Sequence, residues 1–207
     1  MNSLQSMLLG ITGGIACGKT ETGHILSSIG FQVLDTDGLA HSLMKKGEPV
    51  YQAVVTQFGS EILADDGEID RIKLGKLVFS DVQAREILNR LVHPMVISAA
   101  QEWMRACRAN KQDAAVLVPL LFEVGWTDGW DAVVCVTAPK EQVDQRLKRR
   151  GLSQTETQKR IDAQMPLTEK AARADFILNN DGTVEDLRFR ISDLIEKIKL
   201  DKRKCHE

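Results

Sequence analysis

The stretch Gly13-Gly14-Ile15-Ala16-Cys17-Gly18-Lys19-Thr20 limits what this chain can fold into more than any other part of it. It fits the pattern G-x-x-x-x-G-K-[ST] in full. Its surroundings fit as well. An apolar run over residues 7–12 precedes it and reads as a buried strand. A helical pattern with Ile25, Leu26 and Ile29 on one face follows, and Gly30 is placed to stop that helix. A strand that turns through glycines into a helix N-terminus aims backbone N–H groups and the helix dipole at one point, which makes an anion cradle. In such a loop Lys19 reaches the β- and γ-phosphates of a nucleotide, and the Thr20 hydroxyl is a ligand for Mg²⁺. Gly13, Gly14, Ile15, Ala16, Cys17, Gly18, Lys19, Thr20 and Thr22 are therefore the candidate nucleotide-binding residues. The Cys17 thiol has no part in that mechanism and reads as a small tolerated loop residue rather than a redox switch.

The rest of the chain alternates apolar runs with amphipathic stretches. Strands are predicted over 7–12, 31–35, 114–118, 132–137 and 175–178. Runs such as Ala114-Ala115-Val116-Leu117-Val118 suit parallel strands covered on both faces. Strand and helix in succession argue for an α/β sheet with right-handed crossovers. The rhythm breaks between Asp37 and Lys111, where helical patterns stand without a convincing strand. Turn signals at Gly47-Glu48-Pro49 and Asp65-Asp66-Gly67 divide them. This reads as a helical insertion over about 45–110. After Pro139 a charged helix carries Arg146-Leu147-Lys148-Arg149-Arg150, then Gly151, then a second helix through Gln164. A last amphipathic helix is predicted over 184–200, followed by a frayed polar tail, 201–207.

The 207 residues suit one domain with an insertion, and 43% hydrophobic with 27% charged residues is ordinary for a soluble globular protein. A net charge of −2 argues against a general nucleic-acid binder. Cys17, Cys107, Cys135 and Cys205 form no C-x-x-C pair, so they read as reduced thiols rather than a zinc site. No basic residue precedes the short run Met7-Leu8-Leu9, so no signal peptide is expected. No stretch approaches the length of a membrane span. The expected location is the cytoplasm.

Ligands of an open parallel sheet sit beyond the carboxyl ends of its strands. The second strand ends at Asp35-Thr36-Asp37, and the third leads through Pro119-Leu120-Leu121-Phe122 to Glu123. A carboxylate near a γ-phosphate can accept a proton from an attacking hydroxyl. Two residues apart at a strand end, Asp35 and Asp37 are placed so that one faces the acceptor while the other caps the next helix. Asp37 is favoured for the chemistry, whereas Glu123 stands evenly between a site role and a structural one. The cationic helix after Pro139 reads as a lid over about 140–170. Its arginines would exclude water and neutralise charge on the transferred group.

Two strings imitate a GTP-binding switch: Asp35-Thr36-Asp37-Gly38 fits D-x-x-G, and Asn110-Lys111-Gln112-Asp113 fits N-K-x-D. The second precedes a strand instead of following one, so it falls at the wrong edge of the sheet. The first comes too soon after the phosphate loop. Both read as a turn before a strand and a strand end before a helix.

Taken together, the residues resemble the dephospho-CoA kinase family. The resemblance rests on Thr12-Gly13-Gly14-Ile15, Asp35-Thr36-Asp37, His93-Pro94, Pro119-Leu120-Leu121-Phe122-Glu123, Gln142, Arg149, Arg160-Ile161, Gln164, Lys170, Ala174-Asp175 and the run from Asn179 to Gly182. It extends from about Leu8 to the last helix. It implies a P-loop fold of three α/β/α layers with a five-stranded parallel sheet, a helical acceptor-binding insertion and a helical lid. It also implies ATP and Mg²⁺, and transfer of the γ-phosphate to the ribose 3′-hydroxyl of dephospho-CoA. The partners would be those small molecules, with no nucleic acid or membrane, and the protein a monomer or small homo-oligomer. Asp37 matches the aspartate taken as catalytic base, with Lys19 and Arg149 beside it in catalysis. Thr12, Asp35, His93, Pro119, Leu120 and Glu123 match the acceptor side. Read without the family, His93 is a helix-entry residue before Pro94. His41 stands where an arginine is frequent, and Gln145 stands where another is, beside Arg146. Ala16 replaces a common glycine, which suits a backbone with φ below zero. A nucleoside or nucleoside-monophosphate kinase is the alternative enzyme, and a GTP-binding switch the alternative outside enzymes.

Overall fold

The computed structural model describes residues 6–151 and 153–204. Residues 1–5, where no signal peptide is expected, lie outside that range, as do Leu152 and the end of the predicted tail, 205–207 with Cys205. In chain order the elements are β1 (Leu8–Gly13), α1 (Lys19–Ser28), β2 (Gln32–Asp35), α2 (Thr36–Leu43), α3 (Pro49–Phe58), α4 (Arg71–Ser80) and α5 (Val82–Ala109). These are followed by β3 (Ala114–Leu117), β4 (Ala132–Thr137), α6 (Lys140–Arg149), α7 (Gln154–Asp162), α8 (Leu167–Arg173), β5 (Phe176–Asn179) and α9 (Val184–Lys204). All five predicted strands form, with ends shifted by about a residue. The chain divides into two compact units, one made of Met1–Leu34 with Met104–Glu207, the other of Asp35–Trp103.

The first unit holds a five-stranded parallel sheet in the order β2-β3-β1-β4-β5. β1 lies at its centre, with Leu8 opposite Ala114 of β3 and Leu9 opposite Ala132 of β4. Side chains alternate between the two faces of a strand. Leu9, Ile11, Ala115, Leu117, Val134 and Val136 face a core shared with Ile25 and Leu26 of α1 and Leu187, Ile191 and Ile195 of α9. On the other face Gly10 looks onto Leu121 and Trp130, and α8 packs against β1 and β4. Burial on both faces is why these strands read as unbroken apolar runs. α9 continues to Lys204, so residues 201–204 are helical rather than a frayed tail. Asp201-Lys202-Arg203-Lys204 holds three good helix formers, which extend a helix already anchored by Ile195 and Ile198.

Aspartates pin the amino ends of the strands. The Met7 N–H donates to Asp113 Oδ1 at 2.7 Å, Leu8 N–H to Asp131 Oδ2 at 2.7 Å, and Val133 N–H to Asp175 Oδ2 at 2.7 Å. Each aspartate immediately precedes a strand and holds the start of its neighbour, which sets the register. The string Asn110-Lys111-Gln112-Asp113 thus belongs to the edge of the sheet opposite the phosphate loop, and its last residue is one of these pins. Asp113→Ala would leave the N–H of the buried Met7 without its partner, a loss of about 1–3 kcal/mol. A melting temperature lowered by several degrees is expected, and an unchanged one would show that the pin carries no register.

The second unit is helical. Val50, Val54 and Phe58 of α3, Leu74 of α4, and Ala84, Val92 and Val96 of α5 form its core. Pro49 opens α3 at its first turn, and Asp70 caps α4 by accepting from the Ile72 and Lys73 N–H groups. Pro94 lies inside α5, where it removes the N–H that would bond the Arg90 carbonyl.

Candidate active site

β1 delivers the chain to the phosphate loop, and α1 takes it away. Gly13 has φ +140°, and a Cβ there would lie 2.2 Å from the Val136 carbonyl oxygen. Gly18, at φ +109°, occupies the N-cap of α1, and a Cβ there would lie 2.0 Å from Asn180 Nδ2. Only glycine fits at either place. With no side chain at its cap, α1 leaves its first N–H groups to an anion. The Lys19 ammonium donates to the carbonyls of Gly13 at 3.0 Å and Gly14 at 2.8 Å. Thr20 is exposed in the first turn, whereas the Thr22 hydroxyl donates to the Gly18 carbonyl at 3.1 Å and is buried. Thr22 therefore braces the turn from inside, and its hydroxyl is already committed. Ile15 and Ala16 pack against the main core, and Cys17 lies within it.

Ala16 departs from expectation, with φ +55° in the left-handed region. A residue with a Cβ costs roughly 1–2 kcal/mol there relative to right-handed backbone. The surroundings hold the position. Arg146 Nη1 of α6 donates to the Ala16 carbonyl at 3.1 Å, and buried Asn180 Nδ2 donates to the Cys17 carbonyl at 2.8 Å. Arg146 Nη2 also reaches Gln142 Oε1 and the Asn180 carbonyl. The Ala16 and Cys17 carbonyls are thus satisfied by side chains from α6 and from the end of β5, and the Cys17 N–H donates to the Gly14 carbonyl at 3.3 Å. Cys17 is fully covered, and burial raises its thiol pKa; burial likewise pushes Cys135 up to about 11. Thiols held protonated in this way are poor redox switches.

The turn after β3 carries four expected acceptor residues, counting Thr12 of β1 beside it. Thr12 is buried, and its hydroxyl lies 3.5 Å from the Pro119 carbonyl oxygen, long for a hydrogen bond. Leu120 is half-buried. Glu123 Oε1 accepts from Lys170 Nζ at 2.8 Å and from the Met165 N–H at 2.9 Å. The carboxylate expected on the acceptor side is therefore tied to α8 through Lys170.

α6 begins the expected lid, yet its Val143 and Leu147 belong to the main core. Arg149 stands exposed at its last turn. Ser153 starts α7 with a capping box to Glu156.

In the second unit Asp35 caps α2, accepting from the Asp37 N–H at 3.0 Å. Asp37 stands in the first turn of that helix, where the dipole favours a carboxylate. His41 follows one turn later. Burial and the Arg71 guanidinium push its pKa down, against the opposing pull of Asp37 and Asp35, so the imidazole is neutral at pH 7. Arg71 thus places a permanent cation near His41. His93 is half-buried within α5, and burial lowers its pKa too. Its placement corrects the helix-entry reading, because α5 began eleven residues earlier, at Val82.

Among the described residues no cluster of three His, Cys, Asp or Glu side chains could hold a metal ion. The exposed Thr20 hydroxyl is a hard oxygen donor of the kind Mg²⁺ takes, an ion that keeps several waters and draws most other ligands from nucleotide phosphates. No helix among the described residues is long and apolar enough to cross a membrane. The expected site residues omitted Asn180 and Lys170. Asn180 follows β5 at the carboxyl edge of the sheet, and that position was the available signal. Lys170 entered only through the family resemblance, because nothing in its local sequence sets it apart from a solvated helix lysine.

A family profile described as dephospho-CoA kinase matches residues 7–186. The dephospho-CoA kinase of Carboxydothermus hydrogenoformans is 40% identical over 194 residues, covering 93% of this chain and 94% of that protein. The crystal structure of TT1252 from Thermus thermophilus aligns with a TM-score of 0.75 at 33% identity, over 93% of this chain and 98% of that one. A dephospho-CoA kinase from Campylobacter jejuni aligns with a TM-score of 0.69 at 28% identity, over 94% and 98% of the two chains.

Proposed function

Because the chain belongs to the dephospho-CoA kinase family, we propose that it transfers the γ-phosphoryl group of ATP to the ribose 3′-hydroxyl of dephospho-CoA, releasing ADP and CoA. The observation that carries this reading is the phosphate loop, set between β1 and α1 within a family match that spans both units.

Phosphoryl transfer asks the protein mainly for positioning and charge stabilisation. The N–H groups of the loop and of the first turn of α1 hold the phosphates. Lys19 gives up the carbonyls of Gly13 and Gly14 and turns its ammonium to the β- and γ-oxygens. The Thr20 hydroxyl would hold Mg²⁺, which would supply neutralisation of phosphate charge. Asp37 takes the proton of the attacking hydroxyl, and Arg149 offsets charge on the group in transit. Asp35 keeps the first turn of α2 in place. Thr12, His93, Pro119, Leu120 and Glu123 border the acceptor. The enzyme works in the cytoplasm as a monomer or small homo-oligomer.

The test is ADP release by the purified protein with Mg·ATP, alone, with dephospho-CoA and with AMP. Strong stimulation by dephospho-CoA, with CoA as product, is the expected result. Stimulation by AMP instead would favour a nucleoside-monophosphate kinase. Selective GTP affinity without acceptor-dependent turnover would favour a switch.

A further inference from the structure

Lys170 is buried completely, on α8, which begins in the last few residues of the segment read as the lid. Its ammonium donates to the Pro119 carbonyl at 2.6 Å and pairs with Glu123 Oε1 at 2.8 Å. The same carboxylate oxygen accepts the Met165 N–H at 2.9 Å, on the link into α8. The Pro119 carbonyl also lies 3.5 Å from the hydroxyl of Thr12, the residue before the phosphate loop's first glycine. One turn before Lys170, Leu167 of α8 stands against Gly14 of the loop. Further along, the Arg173 guanidinium lies 4.8 Å from the centre of the Phe122 ring. A single side chain thus joins three borders of the phosphate site.

We propose that Lys170 is a positioning residue: its buried ammonium locks the turn 119–123 and the root of the lid at Met165 to the end of β1, so that the phosphoryl group reaches the acceptor hydroxyl rather than water. This rests on the transfer reading above. A buried ion pair adds little net stability, and replacing both partners by neutral groups is often harmless to the fold. What the pair fixes is direction. Lys170 has two acceptors and Glu123 two donors, so neither side chain can move alone. If the lock is released, the lid root and the turn shift relative to the loop, and misplacement by about 1 Å costs roughly 10²-fold in rate. Water admitted beside the γ-phosphate then competes in the balanced side reaction, ATP plus water giving ADP and inorganic phosphate.

The experiment measures ADP and CoA separately at saturating ATP and dephospho-CoA, together with the melting temperature. Lys170→Met should slow CoA formation by about tenfold to a hundredfold and release more than one ADP for each CoA. Lys170→Met with Glu123→Gln removes both charges and keeps an acceptor for the Met165 N–H. This double variant should melt near the wild type yet retain the excess ADP, and it carries the test if the single variant does not fold. A double variant with one ADP per CoA at the wild-type rate would make Lys170 merely structural and overturn the proposal, as would a single variant that behaves as the wild type. Wild-type protein that makes no CoA would instead refute the transfer reading.

Discussion

Asp37→Asn is expected to lower kcat for CoA formation by roughly 10²–10⁴-fold, with KM for either substrate changed far less. The substitution keeps the size and shape of the side chain and removes the charge and basicity that a proton acceptor needs. Asp35 is the internal comparison. Its carboxylate accepts the Asp37 N–H at 3.0 Å and so caps α2. Asparagine caps a helix about as well as aspartate, so Asp35→Asn should stay within several-fold of the wild type. Steady-state kinetics of the two variants decide the matter, and equal losses in kcat would remove Asp37 from its assigned role.

Lys19→Met is expected to lower kcat/KM for ATP by roughly 10²–10³-fold, the usual loss when one preorganised donor to a developing charge is removed. Methionine retains much of the unbranched stem but no ammonium. In the resting protein Lys19 is turned back on the carbonyls of Gly13 and Gly14. Both contacts are part-buried hydrogen bonds within the loop motif and reach no distant part of the chain, so the melting temperature should stay near that of the wild type. Retention of full activity would mean that the loop N–H groups alone carry the phosphates. A collapse of the melting temperature would mean that Lys19 holds the loop together instead.

Most of the sheet was legible because its cause is local in pattern. Strands buried on both faces must be apolar at every position, and the runs around Leu9, Val116 and Val134 announce this. The phosphate loop was legible because its glycines answer to steric needs at single positions. Other features depend on partners far along the chain. Lys170 carried only the family resemblance, and its role appears once the Pro119 carbonyl, 51 residues away, is seen to receive it. Asn180 reads as a turn residue until it meets the Cys17 carbonyl, 163 residues away. Asp113 was read as the end of a polar turn before a strand, and it also holds Met7, 106 residues away. Within the second unit, proline at position 94 suggested a helix start, because an interior proline costs about 3 kcal/mol. The packing of Val92 and Val96 on either side of it offsets that cost. Ala16 was expected at negative φ, and only the grip of Arg146 and Asn180 on the adjoining carbonyls explains its left-handed backbone.

The central place of β1 has a consequence for how the protein is made. Met7 and its pin Asp113 are 106 residues apart, and both neighbours of β1 are translated after residue 113. At about 5–20 residues per second, an apolar strand emerges from the ribosome and waits roughly 5–20 s for its first partner. The unit Asp35–Trp103 is contiguous and has its own core, so it is complete before that partner appears. The order of translation and the order of folding are therefore different. The nascent chain carries an apolar strand unpaired while the segment after it matures.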